Sequence, residues 1–258
     1  LLFCGDISGI QNFIYNVSSK KAAVSLKGRS FYLQLLTETI IQKIIDATKV
    51  TQGHVVYASG GKFFMLLPNT TEVKGKLEVI EKEVLTGLKN EGHTELYVCM
   101  DYIPFVYQFT NNKEVKNILI ADNKEYLDLG ELWIKLLEKV AIKKQRKFEL
   151  LLKTDFSTFF TPKGQGGKAE ICAIIGVEIF NKSDIKLIEG SNYKVSKNVY
   201  EQITLGEDLK EIDEKITDPI MNLLYKINYY ETHEMKNKST ETYKEYKKML
   251  KELKTDEN

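Results

Sequence analysis

Two stretches decide the fold: residues 1–17, LLFCGDISGIQNFIYNV, and residues 54–67, HVVYASGGKFFMLL. Residues 1–7 are apolar but for Asp6 and read as a buried β-strand. Ser8-Gly9-Ile10-Gln11 then fits the S-x-x-Q capping box, in which the serine hydroxyl and the glutamine side chain satisfy free N–H groups at a helix start. That predicts a short helix through about Val17. In the second stretch, HVVYAS and KFFMLLP are strands joined by Gly60-Gly61, a turn that needs two residues at positive φ.

Working outward, SSKKAAVSLKG reads as a polar turn, and residues 29–48 repeat apolar positions at threes and fours, as an amphipathic helix does. Residues 72–91 are a second such helix, with Leu77, Ile80, Val84 and Leu88 on one face and Gly92 as its C-terminal stop. LYVCMDYIPFVY is the closing strand. The order β-α-α-β-β-α-β predicts an α+β fold: a ferredoxin-like or palm β-α-β-β-α-β arrangement, with an antiparallel sheet and helices on one face.

Beyond residue 106 a polar linker, TNNKEVKN, leads to a helix expected at about 123–146. Residues 148–206 are mixed, with strand-like pieces around GKAEICAIIGVEIF and a glycine-rich loop at 164–167; from about 208 the chain reads as helical. Its last part, 231–258, balances seven lysines against seven acids and places Tyr243, Tyr246, Leu250 and Leu253 on one face. The expected divisions are a first domain over 1–110, a linker helix and small domain over 111–206, and a helical region over 207–258.

The whole chain has 258 residues, 37 Lys and Arg against 36 Asp and Glu, 43% apolar and 28% charged residues. That balance excludes a disordered chain and a strongly basic nucleic-acid coat. No apolar run reaches the roughly 18 residues a membrane span needs. Three dispersed cysteines, Cys4, Cys99 and Cys172, make no disulfide framework, so the expected compartment is a reducing cytoplasm. Asp6 interrupts the opening apolar run and no basic leader stands before it; LLFCGDI reads as a strand entered from upstream chain, the start of a piece of a longer protein.

Candidate chemistry centres on Asp6, at the end of the first strand and beside a helix start, where free N–H groups favour a phosphate. Two-metal chemistry needs paired carboxylates, yet the hairpin tip reads Ser59-Gly60-Gly61-Lys62, so a cation stands where a second acid would be required. Lys62 is a candidate phosphate contact and no metal ligand. The plainer alternative is that Asp6 and Ser8 cap a helix and the glycines only turn the chain. Ile7 to Thr37 carries no acid but has Lys20, Lys21, Lys27 and Arg29, a local +4 suited to a nucleotide or an RNA backbone, or else an exposed loop. Lys135 to Lys147 holds six basic residues against Glu138 alone; it is either a solvated helix face or a nucleic-acid contact. The histidines, His54, His93 and His233, show no metal-site spacing, and Cys172 has no CxxC partner, so no zinc is expected.

GDISGIQNFIYNVSSKKAAVSLKGRSFYLQLL followed by YASGGKFFMLLPN resembles the first palm domain of the large subunit of type III-A (Csm-type) CRISPR interference complexes, over about residues 1–105. Residues 148–206 resemble, more weakly, the small domain between that family's two palms. The resemblance implies an RNA-guided antiviral complex, with other complex subunits, guide RNA and target RNA as partners. It also implies a large subunit with an HD nuclease domain, and ATP bound between two palms, of which the second carries a GGDD metal site for cyclic oligoadenylate synthesis. By motif match, Asp6, Ser8 and Gly9 would line the first palm's nucleotide pocket with Ser59, Gly60, Gly61 and Lys62, while Arg29 and Ser30 lie in the adjoining helix start. This chain has no HD motif and no GGDD, and of the family's paired CxxC zinc ligands it keeps Cys172 alone. The expectation is therefore a nucleotide-binding, scaffolding palm without catalytic residues of its own, with ATP as its ligand and Mg²⁺ only together with a complementary palm. Two alternatives stand beside it: a free-standing palm-family nucleotidyl cyclase, and an assembly module that binds only RNA and protein.

Overall fold

In a computed structural model of the chain, the residues described are 1–108, 118–121, 124–126, 128–161, 169–217, 248 and 251. The glycine-rich loop at 164–167 and the apolar positions Tyr243, Tyr246, Leu250 and Leu253 lie outside them.

Strand β1 (Leu2–Ser8) leads through a short helix α1 (Ile10–Tyr15) into a long helix α2 (Ala22–Thr48). The hairpin β2 (Val55–Ser59) and β3 (Lys62–Leu66), helix α3 (Thr71–Asn90) and strand β4 (Tyr97–Ile103) complete the first motif. The four strands form one antiparallel sheet in the order β2-β3-β1-β4, with Asp6 opposite Lys62 on one side and Cys99 on the other. β1 is apolar apart from Asp6 and Ser8 because it is central and covered on both faces. Gly60 and Gly61, at φ 60° and 80°, make the tight turn, as their sequence predicts.

Three local expectations are corrected. Ser8 does not cap α1: the left-handed Gly9 (φ 87°) precedes the helix, and the Ser8 hydroxyl donates instead to the Tyr97 carbonyl of β4 at 3.2 Å. A Cβ at position 9 would lie 1.9 Å from the Glu95 carbonyl oxygen, so the chain turns there only with glycine. Second, α2 begins at Ala22, seven residues before the expected start, and its first turns bring Val24 against a later segment. Third, the closing strand breaks at Pro104. β5 (Val106–Gln108) joins β6 (Ile118–Ala121) and β7 (Lys124–Tyr126) in a separate three-stranded antiparallel sheet.

Helix α4 (Leu129–Lys144), capped by the Asp128 carboxylate on the Glu131 N–H, follows this small sheet and α5 (Glu149–Phe160) follows α4. Strand alternation shows where α4 sits. Trp133 lies 3.9 Å, ring to ring, from Phe64, and Lys144 reaches Asp6; both partners are on one sheet face, while Phe3 and Phe63 meet on the other. Helices thus cover both faces of the sheet, not one. A single apolar core runs from Leu1 to Leu151 and includes Leu132, Leu136 and Val140 of α4.

The free edge of β4 is closed by side chains. Glu81 of α3 accepts from the Met100 N–H at 3.0 Å, and Lys143 of α4 donates to the Met100 carbonyl at 2.6 Å and to Glu81 at 2.7 Å. The Asp101 carboxylate accepts from the Tyr102 N–H, and Lys139 donates to the Tyr102 carbonyl at 2.9 Å. Four backbone groups that would otherwise invite another strand are satisfied within the chain.

The remaining described strands are two small hairpin pairs, β8 (Glu170–Ile171) with β9 (Glu178–Ile179) and β10 (Ile185–Leu187) with β11 (Lys194–Ser196). Helix α6 (Lys197–Thr217) follows β11. Cys172, Ile174, Ile179, Ile188, Val195, Val199 and Ile203 form a second, smaller core, and Val17 and Val24 of the first motif pack onto it.

Candidate functional site

A pocket of about 420 Å³ opens between α1, α2 and the hairpin tip. Ile10, Ile14, Leu33 and Ile41 supply an apolar floor; Ser30, Gln34, Thr37 and Glu38 of α2 face Ala58, Ser59, Gly60 and Gly61. An apolar cleft with a few convergent polar groups is the usual form of a small-molecule site. The glycines are required here. A Cβ on Gly61 would lie 2.6 Å from Ile10 Cδ1, and the left-handed φ disfavours any other residue. The Thr37 hydroxyl donates back to the Leu33 carbonyl at 2.8 Å, so the polar groups left facing the pocket from α2 are Ser30, Gln34 and Glu38.

Of the residues singled out from sequence for the nucleotide pocket, Ser30, Ser59, Gly60 and Gly61 line this pocket and Asp6, Ser8, Gly9, Arg29 and Lys62 do not. Asp6 points to the opposite sheet face, buried under α4, where Lys144 lies 2.6 Å and Lys62 3.3 Å from its carboxylate. Two ammonium groups occupy the positions around Asp6 that a divalent cation would need. Among the described residues no three His, Cys, Asp or Glu come together as a metal site. These residues do not fit a Mg²⁺ ion. Burial pushes the Cys4 and Cys99 thiols up to about 12, which leaves neither as a thiolate nucleophile.

The first basic cluster is spent on the fold. Lys20 lies over the Tyr193 ring at 4.2 Å, Lys21 pairs with Glu207 at 2.8 Å, and Lys27 donates to the Leu209 carbonyl at 3.3 Å. Arg29 is 1% exposed, stacked 4.1 Å over Phe13 and 3.7 Å from Glu95; its Nε and Nη1 have no partner among the described residues. Burial lowers its pKa, with Glu95 opposing. Lys20, Lys21 and Lys27 hold this segment against α6 and the small strands, while Arg29 packs within the first motif. In the second basic run, Lys139, Lys143 and Lys144 are likewise taken up by β4, Glu81 and Asp6.

Residues 1–162 match the family described as Csm1 subunit domain B. The chain belongs to that family. Among curated relatives of this Csm1 family, the single-strand-specific deoxyribonuclease Cas10/Csm1 (subtype III-A) of Enterococcus italicus is 28% identical over 219 residues, 85% of this chain and 26% of its own length. The Mycobacterium tuberculosis protein of the same description is 31% identical over 148 residues, 57% of this chain and 18% of its own. The chain thus spans about a quarter or less of these relatives. Solved Csm1–Csm4 cassettes are also similar. The one in complex with AMPPNP is 28% identical, covers 58% of this chain and 19% of its own, and gives a TM-score of 0.47; the apo cassette, at 25% identity, gives 0.48. No helix among the described residues is long and apolar enough to cross a membrane.

Residue order missed Gln34, Thr37 and Glu38 as pocket residues of this Csm1-family chain. They lie on a helix face that reads as ordinary amphipathic surface, and only the hairpin folding back over α2 makes them a wall. The i, i+4 spacing of Gln34 and Glu38 was the one available signal.

Proposed function

We propose that this chain is the nucleotide-binding, scaffolding first palm of the large subunit of a type III-A RNA-guided CRISPR antiviral complex, with ATP as its ligand. The observation that carries the reading is the Ser59–Gly61 tip standing across an open, apolar-floored pocket from Ser30, Gln34 and Glu38. The ring system lies on Ile10, Ile14 and Leu33, and the phosphates lie toward the glycine tip, where the absence of side chains lets backbone approach them. Family membership and the matched GDISGIQ and SGGK motifs support the same assignment. Ser59, Gly60 and Gly61 carry the site in this reading; Asp6, Ser8, Gly9 and Lys62 support the sheet and the turn beneath it.

The chain performs no transfer chemistry alone, since Asp6 has lysines for neighbours where two-metal catalysis requires a second carboxylate. Mg²⁺ belongs with a complementary palm, which completes the enzyme. Residues 1–110 act as the palm, 111–206 as linker and inter-palm region, and 207–258 as the C-terminal region. Other complex subunits, guide RNA and target RNA are the partners, in a cytoplasmic setting.

Calorimetry of the chain with ATP tests the reading. Binding is expected, and Ala58→Trp, which fills the pocket from an exposed strand position, is expected to abolish it without lowering the unfolding midpoint. Absence of ATP binding to the chain, or unchanged binding by the tryptophan variant, refutes it.

A further inference from the structure

Helix α1, which floors the pocket with Ile10 and Ile14, has six residues and no side-chain cap at its start. That is far below the roughly 12–15 residues at which a helix begins to hold by itself, so its place is set by what grips it. Three anchors do so. Phe13, fully buried, packs against Arg29, Tyr32 and His93. Before the helix, Gly9 turns hard against the Glu95 carbonyl. After it, the chain reaches the second core: Val17 packs there, the Ser18 N–H donates to the Ile174 carbonyl at 2.8 Å, and the Ser18 hydroxyl donates to the Ala173 carbonyl at 3.1 Å.

The last anchor is itself held. The Cys172 N–H donates to the Val177 carbonyl, the Gly176 N–H returns to the Cys172 carbonyl, and the Ala173 N–H donates to the Lys194 carbonyl, each at 2.9 Å. Both carbonyls that meet Ser18 therefore belong to a turn fixed within the second core. Phe13 alone would leave α1 free to roll about one buried ring. Holding both ends fixes where Ile10 and Ile14 stand against α2.

We propose that Ser18 is a positioning residue for the pocket: by tying the α1–α2 connection to the 172–177 turn, it makes the second core a brace for the pocket floor. This rests on the nucleotide reading above. Where the tie opens, α1 has to be ordered as the nucleotide binds, and the apparent affinity falls with the fraction of molecules already ordered. The effect is mutual by linkage, so a nucleotide that binds the ordered floor also stabilises the tie.

The test uses the full chain. Ser18→Ala removes the hydroxyl bond and keeps the N–H, and calorimetry is expected to show ATP affinity about three- to tenfold lower, the size of one hydrogen bond. Ser18→Thr, which keeps the hydroxyl, is expected to restore it, and Ser19→Ala, at the exposed neighbour, to change nothing. By hydrogen exchange, ATP is expected to slow the Ser18 and Gly176 amides of the wild-type chain. Ser18→Ala is expected to speed exchange at Phe13 and Asn16, whose N–H groups bond to the Gly9 and Asn12 carbonyls. A merely structural Ser18 would lower the urea midpoint and leave ATP affinity and this ATP-dependent protection unmoved. Equal ATP affinity of the wild-type chain and Ser18→Ala, or Ser18→Thr as weak as Ser18→Ala, overturns the brace while leaving nucleotide binding intact. Failure of the wild-type chain to bind ATP overturns the nucleotide reading and this inference together.

Discussion

Gly28 of α2 and Gly206 of α6 meet where the two helices cross: a Cβ on Gly28 would lie 3.0 Å from the Gly206 nitrogen and 1.8 Å from the Gln202 carbonyl oxygen. The contact is reciprocal, since a Cβ on Gly206 would lie 2.1 Å from the Val24 carbonyl oxygen. Two helix backbones approach this closely only where neither carries a side chain. Around the crossing, Asn198 donates to the Glu91 carbonyl at 2.7 Å, and the Gln202 amide meets the His93 ring at 3.2 Å. The same α2 that forms the pocket wall therefore also seats the second core.

Gly28→Leu is expected to separate α6 from α2 and to destabilise the chain by about 3 kcal/mol, at the upper end for overpacking. Urea unfolding gives the magnitude, and limited proteolysis is expected to cut first within residues 169–217. Gly75→Ala is the comparison. Nothing lies within 4 Å of the added Cβ on α3, so helix propensity is expected to stabilise by about 0.5–1 kcal/mol.

Lys143→Met leaves Glu81 buried without its cation and the Met100 carbonyl without a donor, for an expected loss of about 3 kcal/mol at neutral pH. Burial pushes the Glu81 carboxyl above the usual carboxylate range, and Lys143 pulls it back. A carboxyl raised in the folded state stabilises below its unfolded value and loses that contribution as pH rises through the folded one. Without Lys143 the folded value climbs further. The deficit of the variant is therefore expected to be small in acid and to grow as pH rises past the ordinary carboxylate range. Chemical denaturation at a series of pH values checks it; a pH-independent deficit would contradict the pairing.

Lys144→Met is expected to cost about 2 kcal/mol, because Asp6, buried under α4, keeps only the longer contact to Lys62. Asp6→Asn is expected to cost about 1 kcal/mol, since the two lysines are partly exposed and regain water. Millimolar Mg²⁺ is expected to leave the melting temperature of the wild-type chain unchanged; a rise that Asp6→Asn abolishes would show a metal at this carboxylate.

Arg29→Met is expected to leave nucleotide affinity unchanged and stability within about 1 kcal/mol, because the arginine packs on Phe13 and two of its guanidinium nitrogens have no hydrogen-bond partner among the described residues. A thermal melt and an ATP titration suffice. A large loss of affinity with unchanged stability would return Arg29 to the binding site.

Residue order alone established the strands at 1–7 and 54–67, the Gly60-Gly61 turn, the long amphipathic helices and the family, because those depend on periodicity, turn chemistry and motif spacing that are local to the chain. It also placed three glycine-tip residues, Ser59 to Gly61, where a pocket forms. Which way Asp6 points, and what surrounds it, depended on α4, more than 120 residues away, delivering Lys144 beneath the sheet. The fate of Lys20, Lys21 and Lys27 likewise depended on α6 and the small strands, and that of Arg29 on Phe13 and Glu95, which together turn an apparently free basic segment into a packed seam. Charge counted along a chain says how many cations a segment carries; only the packing of distant elements decides which of them still face solvent and a ligand.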